Sequence, residues 1–142
     1  MKFLVVFAFV AMAVCSIRAE LTKEEAIAIV NECKEAEGAS NADVEAMMKH
    51  EPADSKEGKC MKACALKKFG VLSEDGKLIK DASIELTKRF IKDEDKKELA
   101  TEVIEACEAL EVNEDHCEAA SEYGACIKKE FELKELDSSA EI

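Results

Sequence analysis

The sequence lacks tryptophan, has one proline, and contains none of the short motifs that commonly mark an enzyme active site. There is no G-x-S-x-G nucleophile elbow, no H-E-x-x-H zinc helix and no glycine-rich phosphate loop. The two histidines, His50 and His116, lie near expected helix ends, where solvated side chains are a better interpretation than a catalytic pair. We therefore expect no enzymatic activity and no cofactor.

Basic residues are few relative to acidic ones. The chain has 20 lysines and arginines against 32 aspartates and glutamates, which gives a net charge of −12. So acidic a chain repels phosphate backbones and anionic lipid surfaces, and its charge favours solubility at high concentration. We therefore expect neither nucleic acid nor a membrane surface as a stable partner.

Long hydrophobic runs are also scarce, because the sequence has just one, near its start. Phe3 to Val14 is an unbroken apolar run of twelve residues that follows Lys2 and precedes small residues. Twelve residues are too few to span a bilayer, which needs about 20. This pattern is instead typical of a secretory signal peptide, with cleavage after Ala19 or, as an alternative, after Ser16.

Removal of this signal peptide, residues 1–19, changes the cysteine count and the charge. Cys15 leaves with it, so that six of the seven cysteines remain, and the loss of Lys2 and Arg18 makes the net charge −14. We expect residues 20–142 to form one secreted, extracellular domain that is large enough to bury a core around a small cavity.

The rest of the sequence predicts one helix after another, with no alternating strand pattern and no internal repeat. Apolar residues recur at helical spacing, and Thr22 with Glu25 forms the pattern of a capping box. The six predicted helices start at the cap Thr22, at the cap Asn41, near Ser55, near Asp81, near Leu99, and at a cap that is either Asn113 or Asp115. The predicted fold class is all-α.

The C-terminal tail, residues 132–142, mixes acidic residues with Leu133, Leu136 and Ile142. Such a terminus frays unless something ties it down, but its apolar residues also allow it to fold back over the body as a lid. We further hypothesise that protonation of its acidic residues, or of His50 and His116, changes how the tail covers a cavity.

The six remaining cysteines carry the strongest signal, and spacing alone leaves 15 possible pairings among them. Cys60 and Cys64 are one helical turn apart and His116 adjoins Cys117, which allows a zinc interpretation. Disulfides are favoured because the secretory route is oxidising and no second closely spaced ligand pair exists. We therefore expect no metal.

The arrangement C-x26-C-x3-C-x42-C-x9-C-x8-C resembles the six-cysteine signature of insect odorant-binding proteins, the family that includes the pheromone-binding proteins. Its two most rigid gaps, x3 and x8, are both present here. The strings EDGKL at residues 74–78 and HCEAA at residues 116–120 strengthen the resemblance, which covers essentially all of residues 20–142.

This resemblance implies a compact six-helix bundle, stapled by disulfides, around an internal apolar cavity. The implied pairs are Cys33–Cys64, Cys60–Cys117 and Cys107–Cys126. The implied function is that of an extracellular carrier, in sensillar lymph or another body fluid, which binds odorants, pheromones or fatty acids. We expect a monomer or a weak dimer; a membrane receptor is a further partner that the sequence does not identify.

Two alternatives to an olfactory carrier deserve weight. A saposin-like lipid-interacting protein is also helical with six cysteines, but that class has closely spaced terminal cysteine pairs, which this chain lacks. An odorant-binding fold used as a lipid carrier outside olfaction has the same sequence features, so the sequence does not separate it from an olfactory role.

Helix-face geometry and the resemblance together predict the residues that line the cavity. Ile127 is the strongest candidate, because the residue after the sixth cysteine faces the pocket in relatives. The full set is Leu66, Phe69, Val71, Leu72, Ile84, Phe90, Val103, Leu110, Tyr123, Ile127 and Phe131. Only four aromatic residues remain after the signal peptide, which favours flexible aliphatic ligands such as fatty acids or long-chain pheromones.

A few other side chains could add selectivity to such a cavity. The Tyr123 hydroxyl would bond either a ligand oxygen or a backbone carbonyl. Arg89 would either clamp a ligand carboxylate or form a solvated salt bridge. Met47 and Met48 suit an adaptable wall, or simply fill gaps in the core.

Overall fold

The structure, a computed structural model, describes residues 22–136. Residues 22–136 form six α-helices and one short 3-10 helix, Glu94–Lys96, with no strand among them and with an isolated bridge between Leu72 and Leu78. The all-α class with six helices is thereby confirmed. In chain order the α-helices are α1 Lys23–Glu37, α2 Asn41–Met48, α3 Lys56–Lys68, α4 Lys80–Phe90, α5 Leu99–Glu108 and α6 His116–Leu133.

Side-chain caps determine where several of these helices begin. The Thr22 backbone N–H donates to the Glu25 carboxylate at 2.9 Å, and the Glu25 N–H donates to the Thr22 hydroxyl at 3.2 Å, which is the predicted capping box. Helix α2 is capped by Ser40 and not, as predicted, by Asn41, because Ser40 accepts from the Asp43 N–H. Of the two caps considered for α6, the structure uses Asp115, which accepts from the N–H of Cys117.

Three disulfides connect four of the helices. Cys33–Cys64 joins α1 to α3, Cys60–Cys117 joins α3 to α6, and Cys107–Cys126 joins α5 to α6. These are the pairs that the resemblance implies. Helix α3 therefore carries two bridges and lies at the centre of the covalent framework.

Apolar side chains pack into two cores on either side of this framework. One joins α1 and α3 through Val30, Cys33 and Met61, while the larger one joins α4, α5 and α6 and includes Val103 and Ile104, both fully buried. Helix α3 also packs against α6 and contributes buried residues to both cores. Within residues 22–136 no helix has the length and apolar character that a membrane span requires.

The chain turns back on itself after α6. Glu135 has a positive φ of 51°, and the Leu136 N–H donates to the Phe131 carbonyl at 2.9 Å. The Lys96 ammonium donates to the Glu135 carbonyl at 3.0 Å, which ties this turn to the 3-10 helix, and Leu136 is only 8% exposed. The tail therefore folds back as far as Leu136. Residues 137–142, like the predicted signal peptide at residues 1–19, lie outside the described residues.

Candidate ligand-binding site

A cavity of about 310 Å³ lies between the end of α2, helices α3, α4 and α6, and the returning tail. This volume is at the lower end of the range of about 300–1,000 Å³ that is usual for small-molecule sites. Eleven of the lining residues are hydrophobic: Met47, Leu66, Phe69, Val71, Leu78, Leu86, Phe90, Ile104, Ile127, Phe131 and Leu136. The others are Lys49, His50, Lys62, Ser83, Thr87, Tyr123, Gly124, Lys128 and Glu132. The wall can therefore cover an apolar molecule on most of its surface.

The cavity is buried at one side and reaches the surface at the other. Ile104 and Tyr123 are at most 2% exposed, whereas Lys49, Lys128 and Glu132 are exposed. A ligand could therefore enter past these charged residues, which surround the mouth, and place its apolar part against the buried side.

Seven of the residues predicted to bind ligand line this cavity, from helices α3, α4 and α6 and the loop after α3. They are Leu66, Phe69, Val71, Phe90, Tyr123, Ile127 and Phe131. Ile127, the strongest candidate, contributes from the middle of α6, one residue after its disulfide cysteine.

The other four predicted residues do not line the cavity, so those predictions need correction. Ile84 and Val103 are buried in the larger core because each is rotated by about 100° from a cavity-facing neighbour, Ser83 and Ile104 respectively. Leu72 is 2% exposed and belongs to the same core. Leu110 lies beyond the end of α5 and is 42% exposed.

The sequence interpretation missed several polar residues of the wall, most importantly Lys62. The helical spacing could have predicted that Lys62 faces the cavity. Lys62, Leu66 and Phe69 are four and three residues apart, so they share one face of α3. On α6, Gly124, Ile127, Lys128 and Phe131 share a face in the same way. The sequence prediction selected apolar residues, so it omitted Lys62 and Gly124 although both lie on the helix faces that line the cavity.

The Lys62 side chain crosses from α3 to α6 and lies against Gly124. An ideal Cβ at Gly124 would be 2.9 Å from Lys62 Cε and would overlap its Nζ. Burial in the cavity wall, followed by the positive charge of Lys128, lowers the pKa of Lys62. Among residues 22–136, no ion pair or hydrogen bond is formed by its ammonium.

His50 is a second polar group on the same wall. It has a positive φ of 57°, and its ring meets the ring of Phe90 edge-on at a centroid distance of 5.4 Å. Its Nε2 atom is buried and has no hydrogen-bond partner within the described part of the chain. Burial, and then the charges of Lys62 and Lys128, lower the pKa of His50, so the neutral ring is favoured.

The remaining polar candidates divide between the cavity and the surface. Tyr123 lines the cavity and is 2% exposed, whereas Arg89 is exposed on α4 and does not line it. His116 packs against Gly76, and its Nδ1 lies 2.7 Å from Lys67 Nζ, away from the cavity. Met47 belongs to the wall and Met48 does not.

Within residues 22–136, no group of His, Cys, Asp and Glu side chains could hold a metal ion.

Comparisons with known proteins agree with this architecture. Residues 18–130 match the model of the PBP/GOBP family. The chain is 41% identical over 119 residues to general odorant-binding protein 19d of Drosophila melanogaster, covering 83% of this chain and 79% of that protein. It is 36% identical over 132 residues to general odorant-binding protein 28a of the same species, covering 89% and 92%. The solved structure of the latter superposes with a TM-score of 0.74 at 37% identity, covering 81% of this chain and 99% of that one.

Proposed function

The chain belongs to the PBP/GOBP family, and we propose that it is an extracellular carrier that binds and solubilises small hydrophobic molecules in its cavity. The observation that carries this proposal is the cavity of about 310 Å³, because eleven hydrophobic side chains line it and its mouth opens to solvent. The candidate ligands are odorants, pheromones and fatty acids.

Transfer out of water supplies the driving force for such binding. Each Å² of apolar ligand surface that enters the cavity contributes roughly 25 cal/mol, and no covalent step is needed. The acidic exterior keeps the loaded carrier in solution. Release then requires only that the ligand leave through the mouth between α2 and α6, so the chain acts as a carrier and not as an enzyme.

The lining favours flexible aliphatic ligands over flat aromatic ones. Phe69, Phe90, Tyr123 and Phe131 are its aromatic members among the described residues, and the other hydrophobic side chains are aliphatic or methionine. Aliphatic walls provide contact area without the offset or edge-on geometry that aromatic pairs prefer. A hydrocarbon chain can adapt to such a wall by rotating its own bonds.

Secretion forms part of the same proposal. The signal peptide at residues 1–19 would direct the chain out of the cell and leave residues 20–142 as the mature carrier. Three disulfides suit an oxidising extracellular compartment. The family match does not favour the saposin-like alternative, while a lipid-carrying role outside olfaction would use the same cavity.

Displacement of a fluorescent apolar probe tests this function. The probe, N-phenyl-1-naphthylamine, should bind the purified protein at one molecule per chain, and dodecan-1-ol should displace it. Ile127→Trp fills the cavity and should lower probe affinity at least about tenfold, the loss typical of blocking a buried apolar contact. Leu110→Trp is the matched control, because it adds the same side chain on the exposed surface, and should bind as the wild type does.

Two results would contradict the carrier proposal. One is the absence of saturable binding of both the probe and dodecan-1-ol to folded wild-type protein. The other is equal affinity in Ile127→Trp and Leu110→Trp, which would place the probe outside the cavity. Native mass spectrometry of the wild-type protein with dodecan-1-ol counts bound ligand directly, so the test does not depend on the folding of either variant.

A further inference from the structure

Positive charge is concentrated on one part of the cavity wall. The cavity is lined by three lysines, Lys62 on α3, Lys128 on α6 and Lys49 after α2, and also by His50, whose neutral ring is favoured. Among the described lining residues, Glu132 is the one acid, and it is exposed at the mouth. This balance is opposite to that of the whole chain, which carries a net charge of −12. The cationic group is therefore a local feature and does not follow from composition.

Lys62 stands out because its side chain is partly buried and its ammonium has no compensating partner within residues 22–136. An ammonium that leaves water loses several kcal/mol of solvation unless an anion or several acceptors replace the water. Within residues 22–136 the Lys62 ammonium has no such partner, and the nearby charges are those of Lys128 and His50, which are of the same sign or neutral. The pKa of Lys62 is lowered for the same reason, because burial and the charge of Lys128 both disfavour the protonated form.

The surrounding backbone is shaped to accept this side chain. Gly124 lies within α6, where glycine costs roughly 0.5–1 kcal/mol relative to alanine. Its missing Cβ leaves the space that Lys62 Cε and Nζ occupy. The Lys62 ammonium is thereby held at the cavity wall, against Gly124 of α6.

An unpaired polar atom lies on the same wall. Within residues 22–136 the buried His50 Nε2 has no hydrogen-bond partner, and the ring makes an edge-on contact with Phe90. Buried polar atoms of proteins normally have a partner, and an exception calls for an explanation. A ligand head group in the cavity could satisfy His50 and Lys62 together, because both line it.

We propose that the cavity selects ligands with an anionic head group, a carboxylate above all, whose oxygens accept hydrogen bonds from the Lys62 ammonium beside His50 and Lys128. The hydrocarbon chain of the ligand then lies against the aliphatic wall that includes Leu66 and Ile127. The ligand class is the fatty acids, as opposed to alcohols, esters or aldehydes of the same length. This inference rests on the proposed carrier function and deepens it.

A carboxylate suits this wall better than a neutral head group because it would compensate the charge of the partly buried Lys62 ammonium. A charge-assisted hydrogen bond is about twice as strong as a neutral one. An alcohol oxygen accepts a hydrogen bond from Lys62 but leaves the ammonium uncompensated, and a methyl ester adds bulk at the same place. The acid should therefore bind more tightly than either neutral analogue.

Competitive displacement with matched ligands tests the proposal. The measurement is the concentration at which each ligand displaces N-phenyl-1-naphthylamine at neutral pH. The ligands are dodecanoic acid, dodecan-1-ol and methyl dodecanoate, and the proteins are the wild type, Lys62→Met and Lys56→Met. Lys56 is the matched control because it is an exposed lysine on α3 outside the cavity, so its replacement causes the same change in net charge. Native mass spectrometry checks that each ligand binds at one molecule per chain.

The expected result is a preference for the acid over the alcohol by roughly ten- to a hundredfold in wild-type and Lys56→Met protein, the range for a hydrogen bond to a charged group. Lys62→Met should lose this preference while keeping its affinity for the alcohol. Equal binding of acid and alcohol by wild-type protein would overturn the head-group proposal but leave the carrier function standing, as would an unchanged preference in Lys62→Met. Failure of all three ligands to bind would overturn the carrier function itself.

Discussion

The Lys62 ammonium occupies the space that a Cβ at Gly124 would need. A glycine in mid-helix is unfavourable for folding when considered alone, and so is a partly buried lysine with no ion pair in the described part of the chain. In contact, they bring a cationic group from α3 to the cavity face of α6. The predictions below follow from this pair and from the elements that surround it.

Gly124→Ala should separate helix stability from ligand binding. Alanine stabilises α6 by roughly 0.5–1 kcal/mol relative to glycine, and the atoms that its Cβ displaces are at the flexible end of Lys62. We expect the free energy of unfolding to rise or stay level in urea titrations, while affinity for dodecanoic acid falls and affinity for dodecan-1-ol is kept. An unchanged acid affinity would show that the position of the ammonium is unimportant for binding.

Lys62→Met should change the stability of the unliganded and the liganded protein in opposite directions. Burial lowers the pKa of Lys62, so at neutral pH the charged side chain destabilises the unliganded fold. Thermal unfolding should show a higher melting temperature for the unliganded variant, because an apolar side chain replaces a partly buried charge that lacks a partner within residues 22–136. Saturating dodecanoic acid should then stabilise the variant less than the wild type, and a loss of stability without ligand would contradict this account.

His50 should make the unliganded protein less stable in mild acid. Its pKa is lowered in the folded state, chiefly by burial and then by Lys62 and Lys128, so the unfolded chain binds the proton more readily. This contribution is absent above the ordinary pKa of about 6.5, and it reduces stability as the pH falls below that value, by at most about 1.4 kcal/mol per pH unit.

The measurement for His50 is urea unfolding at several pH values for the wild type and for His50→Asn. Asparagine tolerates the positive φ of this position. The two proteins share the other charged residues that line the cavity, which are Lys49, Lys62, Lys128 and Glu132. The difference between the two stability curves should grow below pH 6.5 in favour of the variant. Parallel curves would mean that His50 does not sense pH.

Leu136 should slow ligand exit by covering one side of the cavity. It is 8% exposed and lines the cavity, whereas Leu133 in the same segment is 67% exposed and does not. Leu136→Ala should cost about 1–2 kcal/mol of stability, less than a fully enclosed leucine, and should raise the dissociation rate of the fluorescent probe in stopped-flow experiments. Leu133→Ala is the matched control, and equal rates in both variants would remove any lid role for this turn.

Most of the fold could be predicted from the sequence because its signals are local or carried by the cysteines. The capping box at Thr22 and the apolar periodicity of α5 predicted helices that the structure contains. The cysteine spacing predicted the family, which now has the support of close relatives. The cap of α2 was misassigned to Asn41 because Ser40 and Asn41 are both good capping residues in adjacent positions.

The site could be predicted less completely, because adjacent residues of one helix face different environments. Val103 and Ile104 are both apolar and both buried in the larger core, but only Ile104 lines the cavity, so the residue type does not distinguish them. The contact between Lys62 and Gly124 joins residues 62 positions apart. It depends on how α3 packs against α6, which no local pattern specifies.

The most direct test of the account is a crystal structure of the protein with dodecanoic acid. We expect the hydrocarbon chain in the cavity between α3 and α6, and a carboxylate oxygen at about 2.8 Å from the Nζ of Lys62, the usual length of such a charge-assisted bond. A carboxylate that points into solvent away from Lys62, or a ligand bound outside the cavity, would contradict the account.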